Sequence, residues 1–298
     1  MSISALITGA TGYIGGALAR RLASENYEVH AIIRPQSRAE RLEGFRGIKT
    51  HTHTGSVANL RSIFKEAAPK IVFHLASVFR ASHEPSDVAP LIRSNLLFAS
   101  QVAEAAVGSG VRFMVNTGTS WQHYRDADYD PVCLYAATKQ AFESILEYYA
   151  GGFGLKVVTL VLSDTYGPGD FRPKLFSSLR NSALRGDRLN MSGGEQKLDL
   201  VYIDDVVEAY LKAAVHLQSG KVELPERYAV RTGKALPLRE VVSLYKAAGG
   251  LVPDIDWGSR PYRPREMMLP WEGGKLLPGW EPAVMLEDGL RRMEAQYV

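Results

Sequence analysis

The sequence predicts an α/β protein: a doubly wound parallel sheet with a smaller mixed α/β lobe on its C-terminal side. Three observations carry that prediction. Short apolar runs alternate with helical patterns up to residue 162. A glycine-rich turn follows the first apolar run directly. Beyond the turn cluster Gly167-Pro168-Gly169-Asp170 the regular alternation stops.

Each element follows from its residues. Ile3–Thr8 is an apolar strand ending at Gly9, and Gly12–Glu25 is a helix whose Leu18, Leu22 and alanines share a face. Glu28–Ile33 is the second strand. Arg34–Lys49 is a polar, basic loop with a short helix, and Ile48–His53 is a weak edge strand. Val57–Ala67 is a helix and Ile71–Leu75 a strand. Ala89–Val107 is a long helix, Val111–Thr117 a strand, Leu134–Gly151 a helix and Leu155–Leu162 a strand. Parallel strands joined by helices cross over right-handedly, which puts helices on both faces of an open sheet. The later elements are a helix over Lys174–Arg185, a turn at Gly193-Gly194 and a strand over Leu198–Ile203. A helix from Asp204 or Asp205, a strand over Arg227–Val230, a helix from Leu238 and a last helix near Leu286–Gln296 follow. Pro253–Pro282 shows no periodicity. The division is a dinucleotide-binding domain over residues 1–166, with a returning strand near 198–203, and a substrate lobe over 167–298.

Composition excludes several classes. With 298 residues, 46% hydrophobic and 22% charged, the chain is neither disordered nor low in complexity. The lone Cys133 excludes an internal disulfide and any cysteine-rich metal site. A net charge of +3 gives no field for nucleic acid. No apolar run reaches membrane-spanning length, and no leader pattern opens the chain. The reading is a cytoplasmic protein with no nucleic-acid or membrane partner.

Chemistry concentrates at three places. Thr8-Gly9-Ala10-Thr11-Gly12-Tyr13-Ile14-Gly15 lies between a strand and a helix, where a phosphate-binding turn belongs. Gly9 permits the tight turn, Gly12 lets the backbone approach a pyrophosphate, and Gly15 lets helix pack on strand. The bland alternative is an ordinary turn that uses glycines for geometry. Tyr135 and Lys139 stand four apart, on one helix face. An ammonium beside a phenol favours the phenolate and makes tyrosine a usable acid/base. A solvated Tyr–Lys pair is the alternative. Asn116-Thr117-Gly118-Thr119-Ser120 ends a strand, where such sheets bind ligands; a simple Ser/Thr turn is the alternative.

Together these three stretches resemble the extended short-chain dehydrogenase/reductases, the Rossmann-type NAD-dependent epimerase/dehydratase group. Further stretches match in order: His74-Leu75-Ala76-Ser77, Asn95, Leu162–Gly169, Asp199–Val206, Leu277-Pro278-Gly279-Trp280 and Leu286–Leu290. The resemblance spans essentially the whole chain. It implies Tyr135 as acid/base, Lys139 as its partner and ribose ligand, and Thr119 as the hydroxyl on the substrate oxygen, with Thr117 and Ser120 as alternatives. It also implies that Gly9, Thr11, Gly12, Tyr13, Ile14, Gly15, Leu75, Ala76, Ser77, Asn95, Thr117 and Leu162 line the cofactor. Ser56 stands where an adenine-binding Asp is usual.

Charge then selects the cofactor. The second strand ends in Arg34, followed by Ser37 and Arg38, with no carboxylate for a ribose 2′-hydroxyl. Two guanidiniums and a hydroxyl suit a 2′-phosphate, so NADP(H) is expected over NAD(H). The alternative is a solvated face in which Arg34, Arg38 and Arg41 balance Glu40 and Glu43.

Within the family the resemblance is greatest to nucleotide-sugar 4-ketoreductases of the CDP-abequose synthase type. Ser120-Trp121 stands where the 4,6-dehydratases carry Asp-Glu. A nucleotide-sugar substrate suggests Arg172, Lys174, Arg188, Arg263 and Arg265 as diphosphate ligands, against the alternative of surface charge. Lys174, Arg188 and Arg263 join Thr119, Ser120, Trp121 and Asp164 as the expected substrate residues. Asp164 replaces a usual Asn. A homodimer through the helices Ala89–Val107 and Leu134–Gly151 is implied. Competing readings are an epimerase that retains its cofactor, a reductase of a non-nucleotide carbonyl compound, and a non-catalytic NADP-binding protein. His51 and His53 read as structural, as two histidines alone make no metal site.

Overall fold

The computed structural model describes residues 3–222 and 224–297. β1 (Ser4–Thr8) is buried except at its first residue. α1 (Tyr13–Ser24) starts after Gly12 and buries Leu18, Ala19 and Leu22. β2 (Glu28–Ile33) and β3 (Ile48–Thr52) follow. α2 (Val57–Ala67) begins where the Ser56 hydroxyl accepts from the Asn59 N–H at 3.2 Å, an N-cap. β4 (Ile71–His74) is wholly buried.

The long helix expected over Ala89–Val107 is continuous but not uniform. It runs as α3 (Val88–Ile92), a π-helical segment (Arg93–Phe98) and α4 (Ala99–Gly108). Such widened turns favour functional sites, and this one carries Asn95. β5 (Phe113–Thr119) outlasts the expected strand by two residues, because Gly118 and Thr119 pair with Val161 and Leu162. α5 (Leu134–Phe153) and β6 (Lys156–Leu162) complete the alternation.

Then come β7 (Asp164–Tyr166), α6 (Leu175–Arg185), β8 (Leu189–Met191), β9 (Lys197–Leu198) and β10 (Leu200–Tyr202). α7 (Ile203–Gln218), β11 (Glu226–Val230), β12 (Leu236–Pro237), α8 (Leu238–Ala247), β13 (Ile255–Trp257), β14 (Lys275–Leu276) and α9 (Leu286–Glu294) end the chain.

Eight strands form one parallel sheet in the order β14-β11-β6-β5-β4-β1-β2-β3. Helices cover both faces. α1 and α7 pack with the C-terminal elements in one core, while α2, α4 and α5 build the other. Fully parallel sheets need this double cover, since both faces are apolar.

The strand expected to return to the sheet near 198–203 does not do so. It is broken at Asp199, whose carboxylate accepts from the Thr232 N–H, the Thr232 hydroxyl and the Gly233 N–H. β9 and β10 therefore diverge: β9 pairs with β12 and β10 with β7. The strand that returns is β11, beside β6, followed by β14. α7 makes that return, lying across β5 and β6 with Tyr210 fully buried. Its Asp205 accepts from the Ala283 and Val284 N–H groups, and the Trp280 indole donates to the Asp205 carbonyl at 2.8 Å. The otherwise irregular stretch before α9 is thereby tied to the sheet.

Candidate active site

The glycine turn is made by backbone contact. Gly9 has φ of 77°, and a Cβ there would lie 2.7 Å from the Ala76 nitrogen. A Cβ on Gly15 would collide with the Gly9 carbonyl. Only glycine fits either place. Gly12 donates to the Gly9 carbonyl at 2.9 Å and leads α1 with no side-chain cap and no acid in the first turn. The free N–H groups and dipole of that helix end suit a pyrophosphate.

β4 is locked to this turn. The Thr8 hydroxyl accepts from the Leu75 and Ala76 N–H groups and pairs with His74 Nδ1 at 3.0 Å. Burial, helped by the Lys139 charge, pushes the His74 imidazole down to about 3, so it is a neutral structural group. Leu75, Ala76 and Ser77 thus border the turn, and Leu162 ends the strand two positions along the sheet.

Asn95 serves this wall from behind. Its amide donates to the Val78 carbonyl and the Thr138 hydroxyl, and its oxygen accepts from the Val78 N–H and the Ser77 hydroxyl. With every group engaged, Asn95 holds Ser77 and α5 together and keeps no free group for a cofactor. Thr117 is also occupied: its hydroxyl donates to the His74 carbonyl at 2.8 Å and pairs with the Tyr210 hydroxyl at 2.7 Å. It is a strut, which leaves Thr119 as the hydroxyl of this strand beside Tyr135.

Tyr135, Lys139 and Glu143 follow one another along α5 at four-residue spacing. Burial raises the Tyr135 hydroxyl well above the ordinary phenol range; hydrogen bonding to Ser77 and Thr119 pulls the other way without prevailing. The lowering expected from Lys139 is not found, because burial prevails although the ammonium lies over the ring, 5.9 Å from the centroid. Burial in turn lowers the Lys139 ammonium to about 8, opposed by Glu143. Glu143 is itself buried, which raises its carboxyl; Arg227 at 3.0 Å and the Gln122 amide at 2.8 Å oppose that rise. The sequence reading missed Glu143, although its i+4 spacing from Lys139 on the same helix face was a usable signal. It also missed Phe79, whose ring meets Tyr135 edge-on at 5.0 Å and which carries no pattern.

A cleft of about 270 Å³ opens beyond the Phe79 ring that packs on Tyr135, with Phe79, Trp121, Asp164, Lys174, Phe176 and Tyr245 among its walls. The bases in its wall, Lys174 and Arg180, are already paired, Arg180 with Glu294 at 3.0 Å, and so are Arg172 and Arg263 close by. Lys174 meets Asp164 at 2.8 Å, Arg263 grips Glu266, and Arg172 grips Asp170 through two nitrogens. Burial opposes ionisation of Asp164, but Lys174, Arg172 and Arg263 hold its carboxyl below the usual range. Arg263 also lies over the Trp121 ring, 4.7 Å from its centroid, beside Ser120 in an adjoining recess.

One expected substrate residue, Arg188, and one further base considered for the diphosphate, Arg265, line neither recess. Arg188 is exposed on the ribbon of β8 and β13, paired with Asp254 at 3.1 Å and Asp256 at 3.6 Å, and lines neither recess. Arg265 pairs with Asp130 and covers Tyr124. Local acid neighbours, unseen in the linear order, draw both away.

At the far end of the sheet Arg34 and Arg38 are exposed and form no ion pair among the described residues. Ser37 closes the turn, accepting from the Arg34 N–H at 2.9 Å. Ser56 spends its oxygen on the α2 cap. Arg41 turns inward and donates to the Thr11 carbonyl at 3.0 Å. His51 stacks on His30, with a 2.8 Å bond between their nitrogens, and His53 contacts Asn59, so both are structural.

The model of the NAD dependent epimerase/dehydratase family matches residues 5–230 of this chain. A UDP-glucose 4-epimerase of Mycolicibacterium smegmatis is 27% identical over 310 residues, spanning 96% of each chain. A CDP-abequose synthase of Salmonella muenchen is 24% identical over 292 residues, spanning 97% of this chain and 96% of that one. Among solved structures, the Thermotoga maritima UDP-glucose 4-epimerase with UDP-glucose aligns at a TM-score of 0.82 and 24% identity, covering 98% of both chains. The Thermus thermophilus UDP-glucose 4-epimerase with NAD aligns at 0.81 and 25%, also covering 98% of both. No helix of the described residues is long and apolar enough to cross a membrane.

Proposed function

The chain belongs to the NAD dependent epimerase/dehydratase family, and we propose that it reduces the C4 ketone of a nucleotide-activated 4-keto-6-deoxysugar with NADP(H). The observation that carries this reading is the convergence of Thr119, Tyr135 and Lys139 with no unpaired carboxylate beside them among the described residues, the neighbouring free thiol of Cys133 being pushed up by burial. Asp164, the carboxylate acting on the Tyr135 phenol, is bound to Lys174. Ser120 and Trp121 hold the positions after the threonine. A reduction needs one proton donor; a dehydration needs an additional acid/base pair.

The residues fit a dinucleotide. Gly9, Gly12 and Gly15 leave room for a pyrophosphate at the α1 N-terminus, and Arg34 and Arg38 are unpaired cations where a 2′-phosphate would sit. When bound, the nicotinamide supplies the hydride. The protein supplies the rest. Thr119 hydrogen-bonds the substrate oxygen. Burial keeps the Tyr135 phenol protonated, which suits it to donate to the oxygen that gains charge. Lys139 places a desolvated positive charge beneath the ring. Lys174 and Arg263 exchange their carboxylate partners for the diphosphate.

Purified protein with excess NADPH and CDP-, dTDP-, GDP- or UDP-linked 4-keto-6-deoxysugars tests the reading. Stoichiometric NADPH oxidation with one of them is expected. With a 4-hydroxy sugar such as UDP-glucose in place of the ketone, a C4 epimer formed without net oxidation would establish the second reading, an epimerase, which the 27% identity to the mycobacterial enzyme favours. We also propose a homodimer, supported by the exposed Leu97, Tyr148 and Phe153 on the π segment and α5; sedimentation velocity would report a monomer if it is wrong.

A further inference from the structure

Phe171 is 48% exposed, yet its ring lies between two ordered partners. The Arg41 guanidinium lies 3.5 Å from the ring centroid, and Tyr13 meets the ring edge-on at 6.5 Å. The Arg172 guanidinium in turn lies 4.6 Å from the Tyr13 centroid. Four side chains thus stack in the order Arg41, Phe171, Tyr13, Arg172. The stack starts in the loop after β2, which carries Arg34 and Arg38, and ends in the loop after β7, beside the cleft. It crosses the glycine turn, because Tyr13 is the first residue of α1 and Arg41 is bonded to the Thr11 carbonyl.

Both ends are fixed. Arg41 is held to the turn, and Arg172 is bound to Asp170 and to the Thr165 carbonyl. The backbone beside Phe171 is held as well, by the Gly169 N–H on Gln296 and the Arg172 bonds, so the moving part is the half-exposed Phe171 ring itself. Gly167 and Gly169 flank Pro168 with φ of 147° and 70°, conformations that favour glycine and make the tight turn that presents Phe171 to Arg41.

We propose that Phe171 and Arg41 form a clasp across the dinucleotide site and set the rate at which the cofactor leaves. This rests on the reading that a dinucleotide binds at the glycine turn, but not on NADP(H) over NAD(H) nor on the reaction. To exit, the pyrophosphate must pass the stack, so the ring must leave the guanidinium. A cation–π contact of this kind changes an equilibrium roughly 2- to 30-fold.

The test is release of prebound NADPH, followed by its fluorescence after mixing with excess NADP⁺, and repeated with NADH and NAD⁺. Phe171→Ala is expected to speed release about five-fold for either dinucleotide, while Phe171→Trp retains slow release. Arg41→Met also loses the bond to the Thr11 carbonyl, so it should speed release at least as much as Phe171→Ala, and the double variant should add little to it, because the Arg41–Phe171 contact is already gone. Unchanged release from a folded Phe171→Ala protein, or fully additive effects, overturns the clasp alone. If wild-type protein binds neither dinucleotide, the cofactor reading falls and takes the clasp with it.

Discussion

At the glycine turn the fit is made by backbone, and at the cleft opposite it is made by side-chain pairs. A methyl group on Gly9 or Gly15 has nowhere to go. In and beside the cleft Lys174, Arg172 and Arg263 each meet a carboxylate within this chain. A backbone site is complete before its ligand arrives and tolerates no change. A site of exchangeable ion pairs is also complete, but its partners can be traded for a ligand's charges. On the proposed function, rigidity belongs to the side that would hold the cofactor and adaptability to the side that would hold the substrate. Substitutions on the two sides should therefore fail in different ways.

The largest effect is expected at the junction. Tyr135→Phe keeps the ring and its packing on Phe79 but removes the proton donor. Loss of general-acid chemistry costs about 10²–10⁴ in kcat. Dinucleotide affinity, read by NADPH fluorescence, should stay within about two-fold, as sub-kcal/mol changes do. Equal losses in both would show that Tyr135 holds the cofactor rather than the proton.

Gly15→Ala tests the rigid side. Overpacking costs about 1–3 kcal/mol, so a lowered denaturant midpoint and weakened dinucleotide binding should appear together. An unchanged midpoint would show that α1 can shift, and that the turn is softer than its contacts imply. The paired variant Arg34→Ala with Arg38→Ala addresses the same side without touching the backbone. Charge-assisted bonds are worth about 1.5–3 kcal/mol, or roughly ten- to a hundred-fold in NADPH affinity. NADH affinity should be unmoved. Equal loss for both cofactors would break the 2′-phosphate assignment.

The same contrast explains what could be read without coordinates. The alternation, the glycine turn, the Tyr135–Lys139 pair and the ends of β2 and α2 were legible because each depends on neighbours within one helical turn or one strand. The break at Asp199 was not, since its cause is Thr232 and Gly233 on another segment. Asn95 and Thr117 looked like ligand contacts by position; their bonds to Val78, Thr138, His74 and Tyr210 come from packing that no linear spacing reveals. The lowered phenol expected from a nearby lysine also failed for a three-dimensional reason, as burial outweighs an ammonium over the ring face.

Lys139 joins the two sides and should cost stability. Its value of about 8 lies below the 10.5 of a free lysine, so the folded state disfavours its charge. The penalty is full below pH 8 and fades as pH rises towards 10.5, because there the unfolded chain binds the extra proton. Lys139→Met should abolish activity yet raise stability at pH 7 by about 1–3 kcal/mol, with the gain shrinking above pH 8. A destabilised variant would show that the bond network through Glu143 needs the ammonium more than burial resents it.

Arg188→Ala should do least. The side chain is 60% exposed, and its partners Asp254 and Asp256 are open to solvent as well. Exposed pairs of this kind contribute about 0–1 kcal/mol. They hold the β8–β13 ribbon, which borders neither recess by way of Arg188. Expected kinetic constants stay within about two-fold of wild type, against an order of magnitude or more for Arg263→Ala, whose guanidinium stacks on Trp121 in the cleft wall. Measuring the KM for the sugar substrate in both variants decides the point. A large rise in Arg188→Ala would mean that the ribbon folds over the cleft when substrate binds. The substrate side would then be more mobile than its paired charges suggest, and the contrast with the glycine turn would widen.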